Sequence, residues 1–213
     1  MNDQKQPQLL EEEISSQLIY DGRVVRLFVD RVRLPNGEES VREYVKHIGA
    51  VAVLPLTDAG EVICVRQYRY AHRTLMTEIP AGKLDSAHED HVSAALRELR
   101  EETGAVCEKL TYLGLYRSTP AILDEKIDLY LAEGLTFGEM DLDEDEFLSV
   151  ERIPLDVLVD MVMDGTITDG KTQVAILKTR ELLRRRERRE TYDETERDGE
   201  DQHLALGGPR ILV

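Results

Sequence analysis

EIPAGKLDSAHED (78–90) and HVSAALRELREETG (91–104) are the stretch of this 213-residue chain that decides its architecture. The first part is crowded with turn formers and reads as a loop. The second has helical periodicity and stops at Gly104, a residue suited to ending a helix in the left-handed conformation. A helix from about Asp90 to Thr103 sets Val92, Ala95, Leu96 and Leu99 on one stripe, and that stripe is expected to pack on a sheet. Glu98, Glu101 and Glu102 stand at i, i+3 and i+4, so their carboxylates gather on a different face. Like charges at that spacing cost a helix roughly 0.2–0.5 kcal/mol per pair. A divalent cation reverses the sign of that cost, because clustered hard oxygens are what Mg²⁺ requires. A solvated acidic face accounts for the glutamates equally well when they are taken alone, since 33% of the chain is charged.

Outward from this helix the chain reads as strands mixed with helices, without regular βαβ alternation. VVRLFVDRVRL and SVREYVKH flank the turn signal Pro35-Asn36-Gly37, so residues 18–46 read as strands. AVAVLPL and EVICVRQYRY, separated by TDAG, are expected to form a further hairpin over residues 50–70. Strands are expected again at KLTYLGLYRS and KIDLYLAEGL, and a short one after the acidic loop GEMDLDEDEF. Helices are expected at PLDVLVDMVMDG and TQVAILKTRELLRRRERRE. The expected fold is α+β, an α/β/α sandwich of mixed sheets with an N-terminal antiparallel β extension. Residues 1–46 form that extension, 1–13 being flexible; 47–190 form the main domain, and 191–213 a charged flexible tail.

Acidic residues outnumber basic ones, 43 to 27, for a formal charge of −16. That balance argues against nucleic acid or an anionic membrane as partner, since both need a basic face. An acidic protein that handles phosphates must then supply positive charge locally, from metal ions or a few placed arginines. Cys64 and Cys107 are far apart in no ligand-like spacing and are expected reduced, which suits a cytoplasmic location. The N-terminal MNDQKQPQLLEEE lacks an apolar targeting core, and no run approaches transmembrane length.

Taken together, Gly82, Glu89, Arg97-Glu98-Leu99-Arg100-Glu101-Glu102 and Gly104-Ala105 resemble the Nudix box. That signature runs glycine, five residues, glutamate, seven residues, then Arg-Glu-apolar-x-Glu-Glu-x-Gly-apolar. Its fixed core arises by chance at a given position on the order of once in a million. One departure stands out: six residues separate Gly82 from Glu89, so His88 occupies the counted position while Glu89 keeps its spacing to Arg97. This reads as a one-residue insertion in the loop. Ser86 and Glu89 also fit a helix capping box.

The resemblance covers about residues 45–180 and is strongest to the dimeric ADP-ribose pyrophosphatases. It implies Mg²⁺ as cofactor (Mn²⁺ possible), held by the Ala81 carbonyl, Glu98 and Glu102, with Glu101 as an auxiliary acid and Arg97 orienting a carboxylate. Pro120, sixteen residues past Gly104, is a substrate-site mark of that group. Arg69, with Arg66 as neighbour, is implied at the diphosphate, although both would pass as strand-surface charge. In the acidic loop Glu144 is the implied base and Glu146 a further ligand or positioning group, with Glu125 in reserve; a solvated loop is the alternative. The implied reaction splits ADP-ribose into AMP and ribose 5-phosphate, in a homodimer built on residues 18–46. Other readings are a Nudix hydrolase of nucleotide sugars, dinucleoside polyphosphates, coenzyme A or damaged nucleotides, a silent ADP-ribose sensor, or an acidic scaffold. A DNA-regulating sensor needs a basic domain, and the one basic cluster, Arg184–Arg189, is interrupted by Glu187.

Overall fold

The computed structural model describes residues 9–142 and 146–205. Strands β1 (Glu12–Asp21), β2 (Arg26–Arg33) and β3 (Glu39–Lys46) form an antiparallel three-stranded sheet in sequence order. The turn at Pro35-Asn36-Gly37 is present: Gly37 N–H donates to Leu34 O at 2.9 Å, and Gly37 adopts φ 87°, where a side chain would be strained. β1 begins at Glu12, inside the stretch expected to be flexible.

The next strands are β4 (Ala50–Pro55), β5 (Glu61–Arg69), β6 (Thr74–Glu78) and β7 (Ala81–Lys83). They are followed by helix α1 (His91–Thr103), β8 (Ala105–Tyr116), β9 (Ile127–Phe137) and β10 (Leu148–Pro154). Helices α2 (Leu155–Met163) and α3 (Gly170–Ala205) complete the order. β7-β4-β9-β8 make a mixed sheet in which β4 and β9 run parallel; β10-β5-β6 make a second, antiparallel sheet. Here the expected hairpin over residues 50–70 is corrected. Its tight turn forms, with Thr57 N–H donating to Glu61 O at 2.8 Å and Leu56 bridging Val62. Beyond that bridge the strands part into different sheets, because β4 finds β9 and β7 on its two edges while β5 finds β10 and β6.

All six residues of β4 are buried, as expected of a strand covered on both faces. Alternation then assigns the two cores. Ala50, Ala52 and Leu54 face a cluster with Leu129, Leu131, and Leu155, Leu158, Ala175 and Ile176 from α2 and α3. Val51 and Val53 face the other way, onto Ala94, Ala95 and Leu99 of α1. Helices therefore cover opposite faces of the mixed sheet. A Leu99 side chain with no exposed surface is worth about 2 kcal/mol of apolar burial.

α3 continues to Ala205, past the Glu190 boundary read from the sequence. Arginine and glutamate are good helix formers, and Glu181 pairs with both Arg184 and Arg185 at 2.7 Å. Arg186 ties the helix to Glu133 of β9 at 3.0 Å. No helix among the described residues is long and apolar enough to cross a membrane.

Candidate active site

α1 starts at Asp90, whose side chain accepts the Ser93 N–H at 2.8 Å. The expected Ser86–Glu89 capping box does not form. Glu89 lies before the cap and instead accepts the Asp85 N–H at 2.6 Å. At the other end Gly104 takes φ 68° and donates to Arg100 O. A Cβ there would stand 2.4 Å from Gly138 O, so glycine is required twice over, by dihedral and by space.

The inner face of α1 differs from the expected stripe. Ala94, Ala95, Glu98, Leu99, Glu102 and Thr103 are buried, whereas Val92 and Leu96 are 45% and 39% exposed. The helix is rotated so that two carboxylates turn inward with the small residues. Alanines permit the close approach to β4 that brings these glutamates beneath the sheet edge.

There Glu102 accepts the Ala81 N–H at 3.2 Å, and Glu98 lies over Gly82. A Cβ on Gly82 would meet Glu98 Oε1 at 1.9 Å, so glycine is what admits the carboxylate. Burial raises Glu98 to about 7, with Glu101 and Glu146 adding to the effect and Arg97 opposing it. Burial likewise raises Glu102 to about 8, with Glu98 and Glu146 adding and the Ala81 N–H and Arg69 opposing. Arg97 on Glu98 and the more distant Arg69 thus do not offset the burial of the pair. Arg97 gathers the helix's acids: Nη1 donates to Glu98 at 2.8 Å and Glu101 at 3.0 Å, and Nε to Glu89 at 3.2 Å. Despite the added residue in the loop, Glu89 therefore keeps its place beside Arg97.

A second cluster flanks Ala81 on the other side. Glu78, 1% exposed, accepts Arg69 Nε at 2.7 Å and Nη2 at 2.6 Å, and accepts Lys171 Nζ as well. Lys171 also donates to Asp169 at 3.0 Å. Burial works against the Glu78 charge, but Arg69 and Lys171 outweigh it and hold the carboxyl below its usual range. Neither Glu78 nor Lys171 is singled out by the sequence. The available signal was a glutamate on the inward register of β6, opposite buried Val65.

The remaining expected residues are placed unevenly. Glu146 lies within electrostatic reach of both Glu98 and Glu102. Glu144 lies outside the described residues. Arg66 points to the face of β5 opposite Arg69, where its guanidinium is 3.9 Å from Glu151. Glu125 accepts from Ser118 at 2.9 Å and lies 3.6 Å from His47, contacts that involve neither buried glutamate. Pro120 is exposed in a turn whose next residues are pinned to the end of β3, Val45 N–H donating to Ile122 O at 2.8 Å.

Among the described residues, no three histidine, cysteine or acidic side chains are already arranged around a metal position. The donor set that fits a hard dication is smaller: the Glu98 and Glu102 carboxylates beside the Ala81 backbone, with Glu146 near. Two buried carboxylates whose proton affinity burial raises are a deficit that a dication would cancel.

Comparison with known proteins agrees with the fold. Residues 46–174 match the NUDIX domain, and residues 11–45 match the nucleoside diphosphate sugar hydrolase N-terminal domain. The chain is 43% identical over 179 residues to an ADP-ribose pyrophosphatase of Bacillus subtilis, covering 82% of this chain and 96% of that one. It is also 43% identical over 178 residues to a methanol dehydrogenase activator of Bacillus methanolicus, with the same coverage of 82% and 96%. A solved ADP compounds hydrolase superposes with a TM-score of 0.73 over 83% of this chain and 95% of its own, at 24% identity, a likeness of fold.

Proposed function

This chain belongs to the Nudix family, and from that premise we propose that it hydrolyses the diphosphate of ADP-ribose to AMP and ribose 5-phosphate with Mg²⁺ as cofactor. The observation that carries the reading is the buried Glu98–Glu102 pair facing the Ala81-Gly82 strand, short of positive charge. Glu98, Glu102 and the Ala81 carbonyl would hold Mg²⁺ or Mn²⁺, which would supply charge neutralisation and lower the pKa of the attacking water. Arg97 keeps Glu98 and Glu101 in place through its bonds to both. Arg69 holds a phosphate oxygen, and Glu146 and the Pro120 turn line the substrate. Water attacks one phosphorus, the bond to the bridging oxygen breaks, and the proton passes to Glu144.

The substrate preference follows from the ADP-ribose pyrophosphatase at 43% identity, whose own length is covered to 96%. A panel of ADP-ribose, nucleotide sugars, dinucleoside polyphosphates and coenzyme A with Mg²⁺, read by phosphate release after phosphatase coupling, tests it. ADP-ribose is expected to give the highest kcat/KM, and a tenfold preference for another compound would overturn the assignment.

The working assembly in this reading is a homodimer. Every residue of β1 is exposed, including Ile14, Leu18, Ile19 and Tyr20, an apolar surface suited to a second copy. Residues 1–46 serve pairing and 47–190 hydrolysis. A concentration-independent monomer in light scattering would overturn the dimer. A reducing cytoplasm suits Cys64 and Cys107, both free, with burial raising the Cys64 thiol to about 12.

A further inference from the structure

In the reading above Arg69 reaches the diphosphate, and the following inference rests on that reading. A guanidinium presents five N–H donors in a rigid fork. Arg69 directs Nε and Nη2 at Glu78, at 2.7 and 2.6 Å, and its side chain is still 39% exposed. The Nη1 edge is left for an acceptor, and Glu78 sets the direction of that edge.

Glu78 ends β6 and is held from behind. Lys171 Nζ bonds the oxygen that also accepts Arg69 Nη2. Asp169 anchors Lys171 at 3.0 Å and accepts the Thr172 N–H at 3.0 Å, capping the first turn of α3. The Thr172 hydroxyl accepts the Ile79 N–H at 3.0 Å. Two bonds thus run from this turn to consecutive residues 93 positions away, immediately before Ala81.

We propose that Lys171 is a positioning residue for phosphate recognition: through Glu78 it fixes the fork of Arg69. Held by Lys171 on one oxygen, the carboxylate keeps a single orientation, and the Nη1 edge of Arg69 stays directed at an anionic ligand. A lysine suits this place because its compact ammonium takes one oxygen, leaving the bidentate edge to arginine.

The test uses full-length enzyme with ADP-ribose and Mg²⁺. Lys171→Met keeps the apolar stem and removes the ammonium; it is expected to raise KM about tenfold with kcat changed less than about threefold. Arg69→Ala is expected to raise KM further, and adding Lys171→Met to it should change little more, since the two act as one unit. Lys171→Arg should recover part of the loss. A lower Tm with KM unchanged, or fully additive effects in the double variant, would overturn the positioning role. An unchanged KM in Arg69→Ala would overturn the phosphate reading and this proposal together, whereas a raised KM there with none in Lys171→Met sinks this proposal alone. Should Lys171→Met not fold, Asp169→Asn, which weakens the anchor of Lys171 and keeps a side chain able to cap α3, is measured in the same way and decides by the same criteria.

Discussion

Glu78 and Glu102 are buried almost equally, at 1% and 2% exposed, and they flank the same Pro80-Ala81 segment. Glu78 has two cations on its carboxylate and stays below the normal range. Glu102 has one backbone N–H and a neighbouring glutamate, and burial lifts it to about 8. The first arrangement is complete within the chain, so it acts as scaffold. The second has no cation bonded to it among the described residues, which makes it the receptor for the dication proposed above. Counterion supply, not burial, separates structure from chemistry here.

The largest expected effect breaks the receptor side. Glu102→Gln removes an oxygen of the proposed metal site and should lower kcat about 1,000-fold, since metal charge stabilisation is worth several kcal/mol. Its Tm in EDTA should hold or rise, because a repelled buried charge is gone. Turnover near wild type would end the receptor assignment. On the scaffold side, Glu78→Gln leaves Arg69 without its anion and Lys171 with Asp169 alone, and should cost about 3 kcal/mol in denaturant unfolding. Stability equal to wild type would make Glu78 dispensable and erase the contrast.

A smaller perturbation leaves all charges in place. Gly82→Ala drives a methyl into Glu98, whose Oε1 would lie at 1.9 Å. Displacing that carboxylate should reduce kcat/KM on the order of tenfold to 100-fold with little change in Tm. A large Tm loss at normal activity would move the importance of this glycine from site to fold.

Titration reads both sides at once in metal-free protein. Raised folded-state values for Glu98 and Glu102 stabilise the native state below about pH 4.5, and that contribution is lost as pH rises through about 7 and about 8. The depressed Glu78 contributes in the opposite sense, present above about pH 4.5 and lost as pH falls through its lower folded value. Wild-type stability in EDTA should therefore decline between about pH 5 and 8, and Glu98→Gln/Glu102→Gln should flatten that decline. An equally steep decline in the double variant would place its source elsewhere.

The sequence made the receptor side legible because its parts are local: Glu98 and Glu102 share one helix, and Gly82 and Gly104 bracket it. Which helix face turns inward was not legible. Hydropathy ranks Val92 and Leu96 above Ala94 and Glu102, yet the smaller residues and the carboxylates take the buried side. The parting of β4 from β5 escaped for a related reason, since a good turn fixes only the first bridge and the partners on the outer edges decide the rest. The scaffold side was invisible because its bonds span 93 residues, and Lys171 in Asp-Gly-Lys-Thr looks like any lysine at a helix start.

The smallest expected effect is at Arg66, which adjacent sequence made look like a companion to Arg69. Alternation along β5 sends the two to opposite faces. Arg66 has Glu151 at 3.9 Å with both side chains nearly half exposed, a pair worth no more than about 1 kcal/mol. Arg66→Ala should leave KM for ADP-ribose within about twofold and shift stability by about 0.5 kcal/mol or less. If instead KM rises as far as in Arg69→Ala, the phosphate site takes a residue from the outer face of β5. In a homodimer the face that β5 turns away from its own site is one a second subunit can complete, so the same measurement repeated under dimer-dissociating dilution would tell which subunit's substrate Arg66 serves.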